Sequence, residues 1–108
     1  MKKVAFASSD GEFVDRHFGQ ADTFFVYALD TGSQQLLEKR EAPAIAGHSQ
    51  AEFQRIYELF ADCDAVVANK IGYPAAAYLI GKGVRVFESE FAVADILNKL
   101  KEENLLSD

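Results

Sequence analysis

Only two histidines and one cysteine occur in this chain of 108 residues. His17 stands in the run Asp15-Arg16-His17-Phe18-Gly19-Gln20-Ala21, between the strand-like runs Lys3–Ala7 and Thr23–Leu29. A loop of this length exceeds what a hairpin needs, and compact domains keep binding chemistry in such loops. A neutral imidazole suits iron, molybdenum or copper near pH 7. His17 is therefore the first candidate metal ligand and His48 the second. Arg16 and Lys70 add positive charge to a chain that is acidic elsewhere, with net charge −6. Gly19 and Gly72 allow backbone to approach a bulky ligand closely. Imidazole with basic side chains favours an anionic cluster or oxoanion; a bare divalent cation would call for clustered carboxylates. Cys63 lies between Asp62 and Asp64, whose charges disfavour the thiolate, and reads as structural.

The elements that must position these residues can be read from periodicity. Lys3–Ala7 and Thr23–Leu29 are the first two strands. Asp30-Thr31-Gly32-Ser33 is a turn signal, followed by a polar third strand over Gln35–Glu41 near the sheet edge. Ser49 and Glu52 form a capping box, and Phe53, Ile56, Tyr57 and Phe60 repeat on one helical face. Ala65–Ala68 is continuously apolar, as a strand buried on both faces is. Pro74 opens a short helix that Gly81 and Gly83 bracket, Val84–Phe87 is a fifth strand, and Val93, Ile96, Leu97 and Leu100 stripe a last helix. The order β-β-β-α-β-α-β-α is a meander followed by crossover units, within one domain spanning 1–108. It predicts an α/β fold with a mixed sheet in which only strand two runs against the others. The loops 8–22, 42–49, 69–73 and 88–91 then meet at the carboxyl ends of the strands. His17, His48, Asn69, Lys70 and Gly72 share that pole with the N-termini of the three helices, which favour anions. Cys63 falls at the opposite pole.

Composition narrows the function classes. The apolar share of 49% and charged share of 26% are those of a globular domain. No apolar run approaches the roughly 20 residues that span a bilayer, so no membrane partner is expected. An acidic chain lacks the basic footprint that nucleic acid requires. A lone cysteine suits a reducing cytoplasm and cannot supply a four-cysteine iron–sulfur site.

Several motifs fall in the order of a known family. The Ala7-Ser8-Ser9-Asp10-Gly11 turn, Asp15-x-His17-Phe18-Gly19-x-Ala21, Asp62-Cys63-Asp64 before an apolar strand, and Ile71-Gly72 followed by Gly83-Val84-x-Val86-Phe87 resemble the dinitrogenase iron–molybdenum cofactor biosynthesis family, the NifX-like domain. The resemblance covers nearly the whole chain. It implies a ribonuclease-H-like, three-layer α/β fold with five strands in the order 3-2-1-4-5 and three helices. It also implies non-enzymatic binding or carriage of iron–molybdenum cofactor or its iron–sulfur precursor, with other cofactor-assembly proteins as partners. His17 matches the histidine implicated in cofactor binding, and Arg16, Phe18, Gly19, Asn69, Lys70 and Gly72 surround it. Gln20 departs from the pattern, since relatives commonly carry arginine there. A protein of similar fold holds a molybdenum–copper sulfide cluster, which is the alternative cargo.

Two readings of other classes stand beside this one. A nuclease would need carboxylates converging on two metals, and only Asp10 and Asp15 reach the pole. A small regulatory domain binding a nucleotide, an oxoanion or a partner would use the same pole, though no phosphate-loop pattern supports it. Phe18 reads as a hydrophobic plug anchoring the loop ahead of a ligand contact, and Asp15 as either the orienter of the His17 ring or a loop cap.

Overall fold

The structure is a computed structural model and describes residues 2–30, 33–41 and 50–102, with the side chains of 50–52 left aside. Its elements are β1 (Lys2–Ala7), β2 (Thr23–Asp30), β3 (Ser33–Glu41), α1 (Gln50–Phe60), β4 (Ala65–Ala68), α2 (Tyr73–Gly81), β5 (Arg85–Glu88) and α3 (Val93–Glu102). A single 3-10 turn at Phe18–Gln20 interrupts the loop between β1 and β2. The strands form one sheet in the order β3-β2-β1-β4-β5. β2 is antiparallel to both β1 and β3, whereas β1, β4 and β5 are parallel. The strand directions are those expected from the meander and crossovers, and the sheet order is the one the family resemblance implies.

Period-two alternation sorts the sheet residues between two cores. Ala5, Ala7, Phe24, Val26, Val66 and Ala68 face α1 and α2, where Phe53, Ile56, Phe60 and Leu79 close over them. Val4, Phe6, Ala65 and Val67 face the other way and pack under Val93, Ile96, Leu97 and Leu100 of α3. The result is three layers, helix–sheet–helix. β4 is buried on both faces, which accounts for its unbroken apolar sequence.

The boundaries differ slightly from the sequence expectations. β3 begins at Ser33 rather than Gln35, pairing Ser33 with Asp30, and its register shifts at Val26/Tyr27. β5 is displaced by one residue, because Val84 is still bonded through its N–H to the Leu79 carbonyl at the end of α2. β3 is an outer strand whose side chains are exposed apart from the half-buried Arg40. That arginine reaches back over the sheet to α1. Its guanidinium grips both Asp62 carboxylate oxygens, at 2.8 and 2.7 Å, and the Leu59 carbonyl at 2.7 Å. The pairing holds the Asp62 carboxyl well below the usual carboxylate range.

Candidate functional site at the carboxyl edge of the sheet

The loop after β1 is fixed by its own short polar residues. Ser8 is fully buried; its hydroxyl donates to the Phe13 carbonyl and accepts from the Gly11 N–H at 2.9 Å. Gly11 adopts φ +80°, and a Cβ there would lie 3.0 Å from the Phe25 ring, so both backbone and space require glycine. The Asp10 carboxylate accepts from the N–H groups of Glu12 and Phe13, which lowers its pKa. Asp15 accepts from the Ser9 N–H at 2.9 Å and from the Ser9 hydroxyl. Asp15 is thus a loop cap, and its hydrogen bonds go to Ser9 rather than to His17.

Beyond Asp15 the loop joins the sheet. The Asn69 N–H donates to the Arg16 carbonyl at 3.0 Å, and the Phe18 N–H donates to the Lys70 carbonyl at 2.7 Å. His17 and Lys70 form a parallel bridge between these bonds, extending β4 by one rung. Alternation then divides the side chains. Phe18 turns inward, 3% exposed, with its ring 5.7 Å from Phe24 and 5.9 Å from Phe60. Ile71 packs against the same core, while His17 and Lys70 are both exposed. The half-buried Asn69 donates its amide to the Val14 carbonyl at 3.3 Å, tying the loop down from below. Among the described residues the side chains of Arg16, His17 and Lys70 make no hydrogen bond or ion pair.

Three further contacts brace this edge. The Ile71 N–H donates to a Glu88 carboxylate oxygen at 2.9 Å, reaching across from the end of β5. The Val93 N–H donates to the Glu12 carbonyl at 2.8 Å, and the Val14 N–H to the Phe91 carbonyl at 3.2 Å. The loop thereby occupies the N-terminus of α3, so that helix end is not open to a ligand. α2 keeps an N-terminus without a side-chain cap, at Gly72. The sequence expectation of three helix N-termini serving one anion therefore narrows to α2 among the described residues. His48 and the 42–49 loop lie outside them.

Of the sequence-derived candidates, the structure pairs His17 with Lys70 on one rung, leaves Arg16, Gly19 and Gly72 exposed at neighbouring chain positions, and turns Phe18 and the Asn69 amide inward as supports. A Cβ built on Gly19 would meet nothing within 4 Å, so the space above the 3-10 turn is open. Sequence reasoning missed Ser8, Glu12 and Glu88 as builders of this edge. The signal for Ser8 was the Ser8-x-x-Gly11 spacing, a hydroxyl turn. No signal marked Glu88, whose contact depends on β4 and β5 being neighbours.

Cys63 sits at the far pole, buried, its thiol pushed up to about 11 chiefly by burial, with the Asp62 carboxylate adding to the shift and Arg40 opposing it. A protonated thiol there is a packing group and a poor metal ligand. Asp10 and Asp15 are committed to loop hydrogen bonds, and among the described residues no three His, Cys, Asp or Glu side chains converge as metal ligands. No helix of the described residues is long and apolar enough to cross a membrane.

Fold and site together define a three-layer α/β domain that offers one imidazole and two cationic side chains at the carboxyl edge of its sheet. Residues 1–103 match the family described as Dinitrogenase iron-molybdenum cofactor. The chain belongs to that family. It is 41% identical over 77 residues to Protein NifY of Klebsiella pneumoniae, covering 71% of this chain and 33% of NifY. Identity to Protein NifX of Azotobacter vinelandii is 35% over 104 residues, covering 94% and 66% of the two chains. FeMo cofactor biosynthesis protein NifB of Chlorobaculum tepidum is 31% identical over 94 residues, 85% of this chain and 22% of NifB. The chain thus spans a third or less of NifY and NifB and about two thirds of NifX. The same fold occurs in the crystal structure of PH0822, with TM-score 0.72, 19% identity, and 94% and 91% of the two chains covered. A solution structure from Thermotoga superposes with TM-score 0.57 at 23% identity, covering 95% of this chain and 89% of that one.

Proposed function

We propose that this protein acts in iron–molybdenum cofactor biosynthesis as a carrier, holding the cofactor or its iron–sulfur precursor as cargo at the His17–Lys70 rung without chemically transforming it. The observation that carries this reading is the bridge that puts an exposed imidazole beside an exposed ammonium, both without a side-chain partner among the described residues. A single imidazole is a poor site for a bare cation. A preformed cluster brings its own sulfide ligands and needs one protein nitrogen to anchor a metal, with Lys70 and Arg16 offsetting its negative charge. Neighbouring α2 adds the favourable end of its dipole at Gly72. Phe18, buried below, fixes the position of His17 and leaves the open side to the cargo.

A carrier in this role works in the cytoplasm and exchanges its cluster with other cofactor-assembly proteins. The NifB relative, named for FeMo cofactor biosynthesis, and the family match support the pathway, and the exposed rung supports the binding mode. A molybdenum–copper sulfide cluster presents a similar anionic sulfide surface and is the competing cargo. Anaerobic titration of the apoprotein with isolated cofactor, with an iron–sulfur precursor cluster and with a molybdenum–copper sulfide cluster, followed by absorbance, tests the reading. Saturable uptake of one of the first two is expected. Uptake of the third alone would reassign the cargo, and uptake of none would overturn the proposal.

A further inference from the structure

The two edges of the sheet are built differently. β3 carries a register shift and ends in Glu38, Lys39, Arg40 and Glu41, devices that discourage another chain from pairing with an open edge. β5 pairs with β4 over residues 85–88 with no register shift, and it closes the sheet on the other side. Here the flanks are apolar. On one face Ile80 of α2 is 59% exposed beside Val84 and Val86, and on the other Phe91 is 67% exposed beside the half-buried Phe87. Between β5 and α3 a hollow of about 320 Å³ runs over Ile96 and Leu100. α2 itself has no charged residue from Tyr73 to Gly81, and it exposes Tyr73, Ala77 and Ile80 at helical spacing i, i+4, i+7. A helix apolar on every side normally has both faces covered.

Charge indicates what covers this side. Arg85 and Lys99 lie toward the amino end of β5, while Glu88, Glu90 and Asp95 lie toward its carboxyl end. A two-fold axis normal to the sheet reverses β5 and sets the basic end of one copy against the acidic end of the other. Such an axis preserves faces, so the α2 flank bearing Ile80 meets the α2 flank of the other copy, and the α3 flank bearing Phe91 meets its α3 flank. That charge pattern is self-complementary, which favours a second copy of this chain as the occupant.

We propose that β5 is a self-association edge, joining two copies of this chain antiparallel into one continuous sheet. The interface is isologous, as in most cyclic dimers. It leaves the two His17 surfaces at opposite ends of the assembly, so the inference goes beyond the carrier reading and does not depend on it.

Sedimentation equilibrium of the full chain at submillimolar concentration tests it. A mass twice 11.9 kDa is expected. Ile80→Lys and Phe91→Lys should each return the mass to that of a monomer with unchanged circular dichroism, whereas Leu36→Lys on β3 should leave the dimer intact. Hydrogen exchange of the unaltered chain provides a reading that needs no variant: amides of 85–88 should exchange more slowly as concentration rises. A monomeric chain with concentration-independent exchange overturns the proposal. So does a dimer broken by Leu36→Lys but not by Ile80→Lys, or a monomer that uses this face only for a different protein.

Discussion

His17 and Phe18 are adjacent in sequence and opposite in task. The extended backbone at His17, φ −71° and ψ 145°, puts its ring on the outside of the rung and the next ring inside. Phe18 fills the space between Phe24 and Phe60, so its removal leaves a cavity and frees the loop that positions His17. Phe18→Ala should lower stability by roughly 3 kcal/mol, the low end for truncating a buried aromatic ring. Denaturant unfolding measures that loss. Cluster binding should fall as well, because the buried ring holds the loop that carries His17. An unchanged unfolding midpoint would show that the ring does not anchor the loop.

At the scale of elements, the contact between β3 and α1 rests on Arg40 and Asp62. The carboxyl of Asp62 ionises more readily folded than unfolded, because Arg40 and then Lys3 donate hydrogen bonds to its charged form. Its contribution is therefore present above the unfolded value of 3.8 and is lost as pH falls through the lower folded value. Asp62 is about half exposed, so solvent screening limits the effect to about 1 kcal/mol. Asp62→Asn should be less stable by that amount at pH 7, and the gap between the two proteins should begin to close as pH falls below about 4 and go on closing towards the lower folded value. A gap that persists under acid would assign the loss to packing rather than charge. The meander and crossover signals made the strand directions legible, and with them the placement of His17 and Lys70 on one edge. Arg40 was not legible, because its partner lies 22 positions away on an element whose distance no local pattern encodes. The same limit hid Glu88, and the β2–β3 register shift has no marker in a strand as polar as Ser33–Glu41. Phe18 was legible as a plug from its place between two strands, whereas the sequence left Asp15 between ring orienter and loop cap, and only its hydrogen bonds to Ser9 decide for the cap.

At the scale of the whole molecule, the sheet separates two chemistries. Its carboxyl edge gathers exposed imidazole and cationic groups, while the opposite pole buries a protonated thiol beside an ion-pair cluster. This separation makes one measurement decisive for the carrier reading. His17→Ala changes an exposed side chain without hydrogen bonds among the described residues, so unfolding free energy should move by no more than about 0.5 kcal/mol. In anaerobic titrations with iron–molybdenum cofactor or its iron–sulfur precursor, followed by absorbance, its dissociation constant should rise at least about tenfold, or about 1.4 kcal/mol. Unchanged affinity in the folded His17→Ala protein would contradict the account and remove the His17–Lys70 rung as the seat of the cluster.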